Sequence, residues 1–202
     1  MEPFASDPKK LKARLRRYER ALRREFEQFG FYDDSYGKRY LIGPLYLLLG
    51  DLSGALQSFA WFEQAFPDDS GEPFHRLCWA LALYRAGDLG AAAQKLREAM
   101  LANLYLIPHL LGPKQQRLDI CHSTNWAELD YVRSAPPEYL EYLRLWDPPA
   151  IQWARETYYS PTFSQVRARY IEIFAQLKHE PPGPRRRQLV REAFRLRAGD
   201  KH

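Results

Sequence analysis

Two pairs of side chains in the sequence are of the types that bind zinc. His75 and Cys78 lie three residues apart, and Cys121 and His122 are adjacent. Adjacent residues seldom both reach one ion, and no second paired spacing completes a tetrahedral set of ligands. The same residues could supply a Cys–His nucleophile pair. Cys78 lies between two large apolar residues and is more simply a small buried side chain, so we predict neither a metal site nor a catalytic cysteine.

Acidic residues cluster at Asp68, Asp69 and Glu72, in a segment rich in proline, serine and glycine. This composition is typical of turns and helix caps rather than of paired carboxylates for acid–base catalysis. Residues 87–90 contain two glycines, but no Lys-Ser/Thr follows them, so they do not form a phosphate-binding loop. We therefore predict that the protein is not an enzyme and uses no cofactor.

The composition is ordinary for a folded globular protein. Of 202 residues, 46% are hydrophobic and 27% charged, which allows one domain with extensions. The longest apolar run, residues 41–49, is broken by Gly43-Pro44 and is far shorter than the ~20 residues of a membrane span. Residues 1–10 are too polar for a signal peptide, and two cysteines provide no disulfide framework. We expect a reducing, cytoplasmic location.

The charge is concentrated at the two ends. Residues 1–24 hold nine Lys/Arg and three Asp/Glu, residues 181–202 hold seven and two, and the remainder is acidic. The basic N-terminal helix could be a solvated face, a contact for an acidic protein surface, or a contact for nucleic acid or an anionic membrane. The candidate polyanion contacts are Arg16, Arg17, Arg23, Arg24, Arg185, Arg186 and Arg187.

Helical spacing of apolar residues, proline and glycine boundaries, and the lack of paired strands predict an all-α protein. We expect helices near residues 8–29, 36–49, 53–66, 73–86, 89–102, 125–134, 136–146, 148–158, 161–178 and 185–197. The predicted segments are a basic N-terminal helix (7–34), a repeat core (35–112), a helical cap (113–180) and a basic C-terminal helix (181–202).

An internal repeat organises the predicted core. When Gly50 is aligned with Gly87, the Gly-Asp-Leu that begins at each, an alanine and a glutamine coincide at an offset of 37 residues. A period in this range is typical of stacked helical hairpins. Gly50 should end a helix in the left-handed conformation, and Asp51 should cap the next one. Small residues should allow the helices to approach closely, namely Gly43, Ala55, Ala80 and Ala92.

These residues resemble the tetratricopeptide repeat family over about residues 36–104. The family pattern W-x2-L-G-x2-Y…A-x3-F…P is matched by Ile42-Gly43-x2-Tyr46, Ala55-x3-Phe59 and Pro67. The second unit offers Trp79-Ala80-x2-Leu83 and Ala92-x3-Leu96. The chain departs from the pattern at Arg39 and Arg76, where the family often has Trp, and at Leu104, where it has Pro; Pro44 should kink its helix.

The resemblance implies a concave groove lined by the first helices of the two hairpins. The residues that it places there are Tyr40, Leu47, Leu48, Leu77, Leu81, Tyr84 and Arg85. The Lys, Asn and Arg set with which some family members bind a terminal carboxylate is missing. The groove is either filled by the chain's own helices from residue 125 onward or open to a partner helix.

The sequence thus predicts a two-repeat, tetratricopeptide-like adaptor that binds another protein without catalysing a reaction. The alternative is a protein that associates with nucleic acid or another polyanion through its two basic ends. The sequence does not identify the partner or the oligomeric state.

Overall fold

A computed structural model describes residues 7–32, 34 and 36–199, and these residues form eleven α-helices and no strand. The helices are α1 (Pro8–Phe29), α2 (Arg39–Leu48), α3 (Leu52–Ala65), α4 (Pro73–Arg85), α5 (Leu89–Ala102), α6 (Leu106–Leu111), α7 (Leu129–Arg133), α8 (Pro137–Arg144), α9 (Pro148–Tyr159), α10 (Pro161–Leu177) and α11 (Pro184–Ala198). The predicted all-α class is confirmed. Within this described part, no helix combines the length and the apolarity needed to cross a membrane.

Proline and side-chain caps determine where most helices begin. Six helices have proline at their first or second position, where its missing N–H would be unpaired in any case. The Asp7 carboxylate accepts the N–H of Lys9, and Asp147 accepts that of Ala150. These local signals are readable in the sequence, and the predicted helix starts therefore lie close to the observed ones.

Two regions differ from the prediction. Residues 104–112, where no helix was expected, contain α6, and Pro108 is tolerated there because it falls in the first turn. The single helix expected at 125–134 is divided into a 3-10 turn, Asn125–Ala127, and the short α7. The run Asp33-Asp34-Ser35 also predicts a cap for the next helix. Residues 33 and 35 lie outside the described part of the chain, whereas Asp34 accepts the N–H groups of Lys38 and Arg39.

The two repeat units form helical hairpins with the same turn. Helix α2 packs on α3, and α4 packs on α5. Gly50 and Gly87 both have positive φ, 73° and 83°, which favours glycine because it has no Cβ. Asp51 then accepts the N–H of Gly54 at 2.8 Å, and Asp88 accepts that of Ala91 at 3.0 Å.

Small side chains lie where the helices meet, as predicted. Ala55, Ala80 and Ala92 are fully buried. Gly43 lies against the ring of Phe59, and a Cβ at position 43 would be 2.5 Å from that ring. The hairpins also contact each other, since α4 packs on both α2 and α3.

The remaining helices cover the second hairpin. Helix α8 packs on α2 and α4, while α10 and α11 pack on each other and on α5. One hydrophobic core includes buried residues from Tyr40 to Ala193, so three of the four predicted segments contribute to it. Helix α1 packs on α2 through a smaller apolar cluster.

Candidate functional site

The residues expected in the concave groove are mostly buried. Tyr40, Leu47, Leu77 and Leu81 belong to the core, Leu48 and Tyr84 are half-buried, and Arg85 is exposed. Of the two arrangements that the sequence left open, the structure has the one in which the chain's own C-terminal helices occupy this face.

Aromatic pairs hold those helices in the groove. The ring of Phe74 stacks on Tyr139 of α8, with centroids 4.3 Å apart. Tyr84 stacks on Trp153 of α9 at 4.8 Å. The guanidinium of Arg85 donates to the carbonyl oxygen of Leu145 at 2.5 Å. A partner could reach the groove only by displacing these contacts.

Titratable groups are also buried on α4 and at the residue that caps it, Glu72. The Glu72 carboxylate accepts the N–H groups of Phe74 and His75, and burial raises its pKa to about 7 although these hydrogen bonds lower it. Burial lowers the pKa of His75 and raises that of the Cys78 thiol. Across the described ranges, no group of three or more His, Cys, Asp or Glu side chains could hold a metal ion.

The basic residues singled out in the sequence lie on two separate helices. Arg16, Arg17, Arg23 and Arg24 are exposed on α1, which packs on α2. The three arginines at 185–187 begin α11, which packs on α5 and α10. Arg186 donates to the carbonyl oxygens of Leu177 and Glu180, so its charge lies near the C-terminus of α10.

The placement of α1 creates an open cleft beside α2. Leu11, Leu15 and Leu22 of α1 pack on Ile42 and Leu45 of α2. This leaves a cavity of about 470 Å³ between α1 and α3, a volume within the range of small-ligand sites. We call it the α1–α3 cleft; it is lined by Glu19, Leu22, Arg23, Phe26, Glu27, Tyr32, Ile42, Tyr46, Gly54, Gln57, Ser58 and Trp61.

Polar contacts fix the angle between α1 and α2. The ammonium group of Lys38 donates to Glu25 near the end of α1 at 2.7 Å. Asp34, whose side chain is fully buried, accepts the backbone N–H of Arg39 at 2.7 Å and an N–H of its guanidinium at 3.2 Å. These contacts join the end of one helix to the start of the next, and so they hold the turn that carries Tyr32.

Aromatic rings form one end of the cleft. The rings of Tyr32 and Trp61 are perpendicular, with centroids 5.4 Å apart, and Phe26 lies 5.0 Å from Tyr32. Phe66 packs behind both Tyr32 and Trp61, at 5.3 and 5.6 Å. The Trp61 indole N–H donates to the Tyr32 hydroxyl at 3.3 Å. The rings therefore support one another, while Tyr32 and Trp61 stay partly accessible.

Carboxylates line the α1 side of the cleft. The Tyr46 hydroxyl donates to Glu19 at 2.5 Å. Burial, followed by this hydrogen bond, raises the pKa of Tyr46 to about 12, so the phenol stays neutral and does not cancel the charge of Glu19. Glu27 and Arg23 also line the cleft, and neither forms an ion pair with another described residue.

Four exposed aromatic side chains lie at and beyond the end of α1, between residues 26 and 36. Phe26, Phe29 and Phe31 are 48%, 52% and 60% exposed, and Tyr36 is 88% exposed. Phe29 and Phe31 contact each other at 6.0 Å. We call these four residues the aromatic edge. Exposed large apolar side chains that contact one another, as Phe29 and Phe31 do, mark interaction surfaces more often than isolated ones do.

The sequence analysis did not select Glu19, Tyr32 or Trp61 as site residues. One signal was available, because Trp61 and Phe62 are adjacent on α3 and point about 100° apart. Phe62 is buried in the core and Trp61 faces the cleft. Because adjacent side chains on a helix point in different directions, a large aromatic residue next to a core residue indicates a second contact surface.

Comparisons with protein-family models, with curated proteins and with solved structures gave no match. The case for a function therefore depends on the chain's own geometry.

Proposed function

We propose that the protein is a non-enzymatic, tetratricopeptide-like scaffold that binds another protein through the α1–α3 cleft and the aromatic edge. The observation that carries this proposal is the contrast between the groove, which the chain fills itself, and the cleft, which stays open. The repeat supports the family resemblance, since equivalent turns and caps recur 37 residues apart. Two free cysteines fit the proposed cytoplasmic location.

The residue types around the cleft suit a protein partner. Protein interfaces combine buried aromatic anchors with a polar, charged rim. Here Tyr32 and Trp61 are the candidate anchors, and the exposed charges of α1 lie beside them. The rings are already ordered by their mutual contacts, so binding would immobilise few additional side chains.

Photocrosslinking tests this surface directly. Phe31 is exposed and can be replaced by benzoylphenylalanine without disturbing the core. We expect crosslinked partners at position 31, and we expect Trp61→Ala to abolish them in folded protein. Phe194 on α11, 64% exposed, is the matched control position. Equal crosslinking at positions 31 and 194, unaffected by Trp61→Ala, would refute the proposal.

The second candidate function is binding of a polyanion along α1. Its specific support is a row of exposed cations that form no ion pair with any carboxylate in the described part of the chain. These residues are Lys9, Arg16, Arg17, Arg20 and Arg24. Unpaired cations on one helix face are the electrostatic feature that nucleic-acid-binding surfaces share.

Salt dependence separates the two candidates. If the basic face of α1 displaces counterions from a nucleic acid, the protein should bind RNA or DNA with an affinity that falls steeply as salt rises. Replacing Arg16, Arg20 and Arg24 by glutamine should then remove binding, whereas Trp61→Ala should leave it unchanged. Binding that is insensitive to salt, or that survives the triple variant, would exclude this second function.

A further inference from the structure

The α1–α3 cleft combines two features that favour a positively charged group. Aromatic rings meet at right angles at one end, and two carboxylates line the α1 wall. We propose that the cleft binds a cationic side chain, arginine or lysine, of the partner protein. This inference rests on the proposed function, because it names the chemical group of the partner that the cleft recognises.

The aromatic rings at one end of the cleft are arranged so that a cation can contact them. A cation is attracted to the electron-rich face of an aromatic ring, most strongly to that of tryptophan. Because Tyr32 and Trp61 are perpendicular, they form two walls of a box rather than a flat stack. Phe26, tilted by 31° from Tyr32, extends this wall towards solvent. A long apolar stem with a cationic end would contact all three rings.

The two carboxylates outnumber the one cation that lines the cleft, so their charge is only partly cancelled within it. Glu19 has only the neutral Tyr46 hydroxyl as a hydrogen-bond partner within the described chain, and its side chain is partly buried. Glu27 lies two turns further along the same side of α1. A partly buried carboxylate interacts more strongly with an incoming cation than an exposed one, because water screens the pair less.

Arg23 is the one lining residue that opposes a cation. It lies between Glu19 and Glu27 on α1, and its side chain is exposed. Removing the charge of Arg23 should therefore tighten the binding of a cation in the cleft and weaken the binding of an anion. The neighbouring Arg24 does not line the cleft and provides a matched control.

The test uses short peptides and the full chain. Acetyl-Gly-Arg-Gly-amide and acetyl-Gly-Lys-Gly-amide are titrated while the Trp61 indole N–H signal is followed by NMR, with Trp61→Phe identifying that signal. The matched probe is the same peptide with citrulline, which has the shape of arginine but no charge. We expect the citrulline peptide to bind about tenfold more weakly than the arginine peptide.

Variants then assign the effect to the cleft. Glu19→Gln should weaken arginine-peptide binding about threefold or more, and Arg23→Gln should strengthen it by a similar factor, as expected for one partly screened charge. Arg24→Gln should change it less than either. Equal binding of the arginine and citrulline peptides, or Arg23→Gln weakening the arginine peptide, would overturn the inference.

The source of the cation is tested separately. Choline and its neutral analogue 3,3-dimethylbutanol are titrated in the same way. Choline binding more tightly than both peptides would assign the cleft to a free small cation and overturn the partner assignment. If the peptide experiments fail but crosslinking at position 31 still depends on Trp61, this inference is wrong and the proposed function is retained. The two failures are therefore distinguishable.

Discussion

The two helical hairpins have matching sequences but different surroundings. All residues of α4 from Pro73 to Ala82 are buried, whereas at the equivalent positions of the first unit, 36–45, Tyr36 is exposed and Leu41 is half-buried. One repeat-equivalent pair illustrates the difference. Phe74 stacks on Tyr139 and anchors α8, while its counterpart 37 residues earlier is Gly37. The repeat gives both hairpins the same turn, whereas residues that differ between the units, such as this pair, give the second unit a contact with α8 that the first lacks at that position.

Arginine replaces a packing residue at equivalent positions of both units. Arg39 donates to the Asp69 carboxylate at 2.8 Å, and Arg76 donates to the carbonyl oxygens of Asp69 and Ser70 at 3.1 and 3.0 Å. Both guanidinium groups thus bind the same loop between the hairpins. The tetratricopeptide repeat family, which the sequence resembles, often has Trp at these two positions. This chain has arginine there instead, and the two arginines join its two hairpins by hydrogen bonds.

Removing the ring that anchors the cover should have the largest effect. Phe74→Ala deletes a fully buried ring from the interface between α4 and α8, and we expect a loss of about 3–5 kcal/mol in the free energy of unfolding. Urea denaturation followed by circular dichroism measures this loss.

The matched variant at the open surface is Phe31→Ala. Phe31 is 60% exposed, and its truncation should change the same free energy by less than about 0.5 kcal/mol. Similar losses in the two variants would contradict the contrast between a covered and an open face.

The pH dependence of stability should report on the covered hairpin. Burial raises the pKa of Glu72 in the folded protein to about 7 from a usual value of 4.5. The folded state therefore holds this proton more tightly than the unfolded state. The resulting stabilisation, about 3 kcal/mol, is complete below pH 4.5 and is lost as pH rises through 7.

The comparison with Glu72→Gln isolates this contribution. Burial lowers the pKa of the neighbouring His75, which costs stability below pH 6.5 and opposes Glu72 in the wild-type protein. Measuring both proteins at each pH removes the His75 contribution. The stability advantage of the wild type over the variant should fall between pH 4.5 and 7.5, and a constant difference would show that Glu72 is not buried under α8.

The sequence was informative where the signal is local. Proline, glycine and aspartate at helix boundaries act within one turn, and the hairpins around Gly50 and Gly87 were therefore predictable. The α1–α3 cleft was not predictable in this way. The apolar stripe of α1 shows that the helix docks, but the angle depends on tertiary contacts of Asp34 and Lys38. Whether Tyr32 meets Trp61 depends on that angle.

A close helix contact in the first hairpin gives a third prediction. Gly43→Ala would normally favour a helix, but the new Cβ would lie 2.5 Å from the Phe59 ring. We expect a net loss of about 1–3 kcal/mol from overpacking. The second hairpin has Ala80 and Leu96 at the equivalent positions, and both are fully buried. It therefore pairs a larger residue on its first helix with a smaller one on its second.

A double-mutant cycle tests that complementarity. In a Phe59→Leu background, Gly43→Ala should cost much less than it does alone, because the smaller side chain leaves room for the methyl group. Denaturation of the four proteins gives the coupling energy. If Gly43→Ala costs the same free energy in both backgrounds, contact with the ring of residue 59 is not the cause of the loss.

The smallest expected effect concerns the open side, and its sign is informative. Arg20 lies one turn from both Arg16 and Arg24 on the exposed face of α1, and like charges at this spacing destabilise a helix. Arg20→Gln should therefore raise stability by about 0.5 kcal/mol at low salt, with the gain shrinking as salt rises.

The control is Arg169→Gln on α10, which removes ion pairs with Glu172 and Glu192 and should lower stability instead. If the arginines on this face of α1 serve binding rather than folding, they are expected to reduce the stability of the protein. If Arg20→Gln destabilises the protein as Arg169→Gln does, the charges of α1 belong to its own fold.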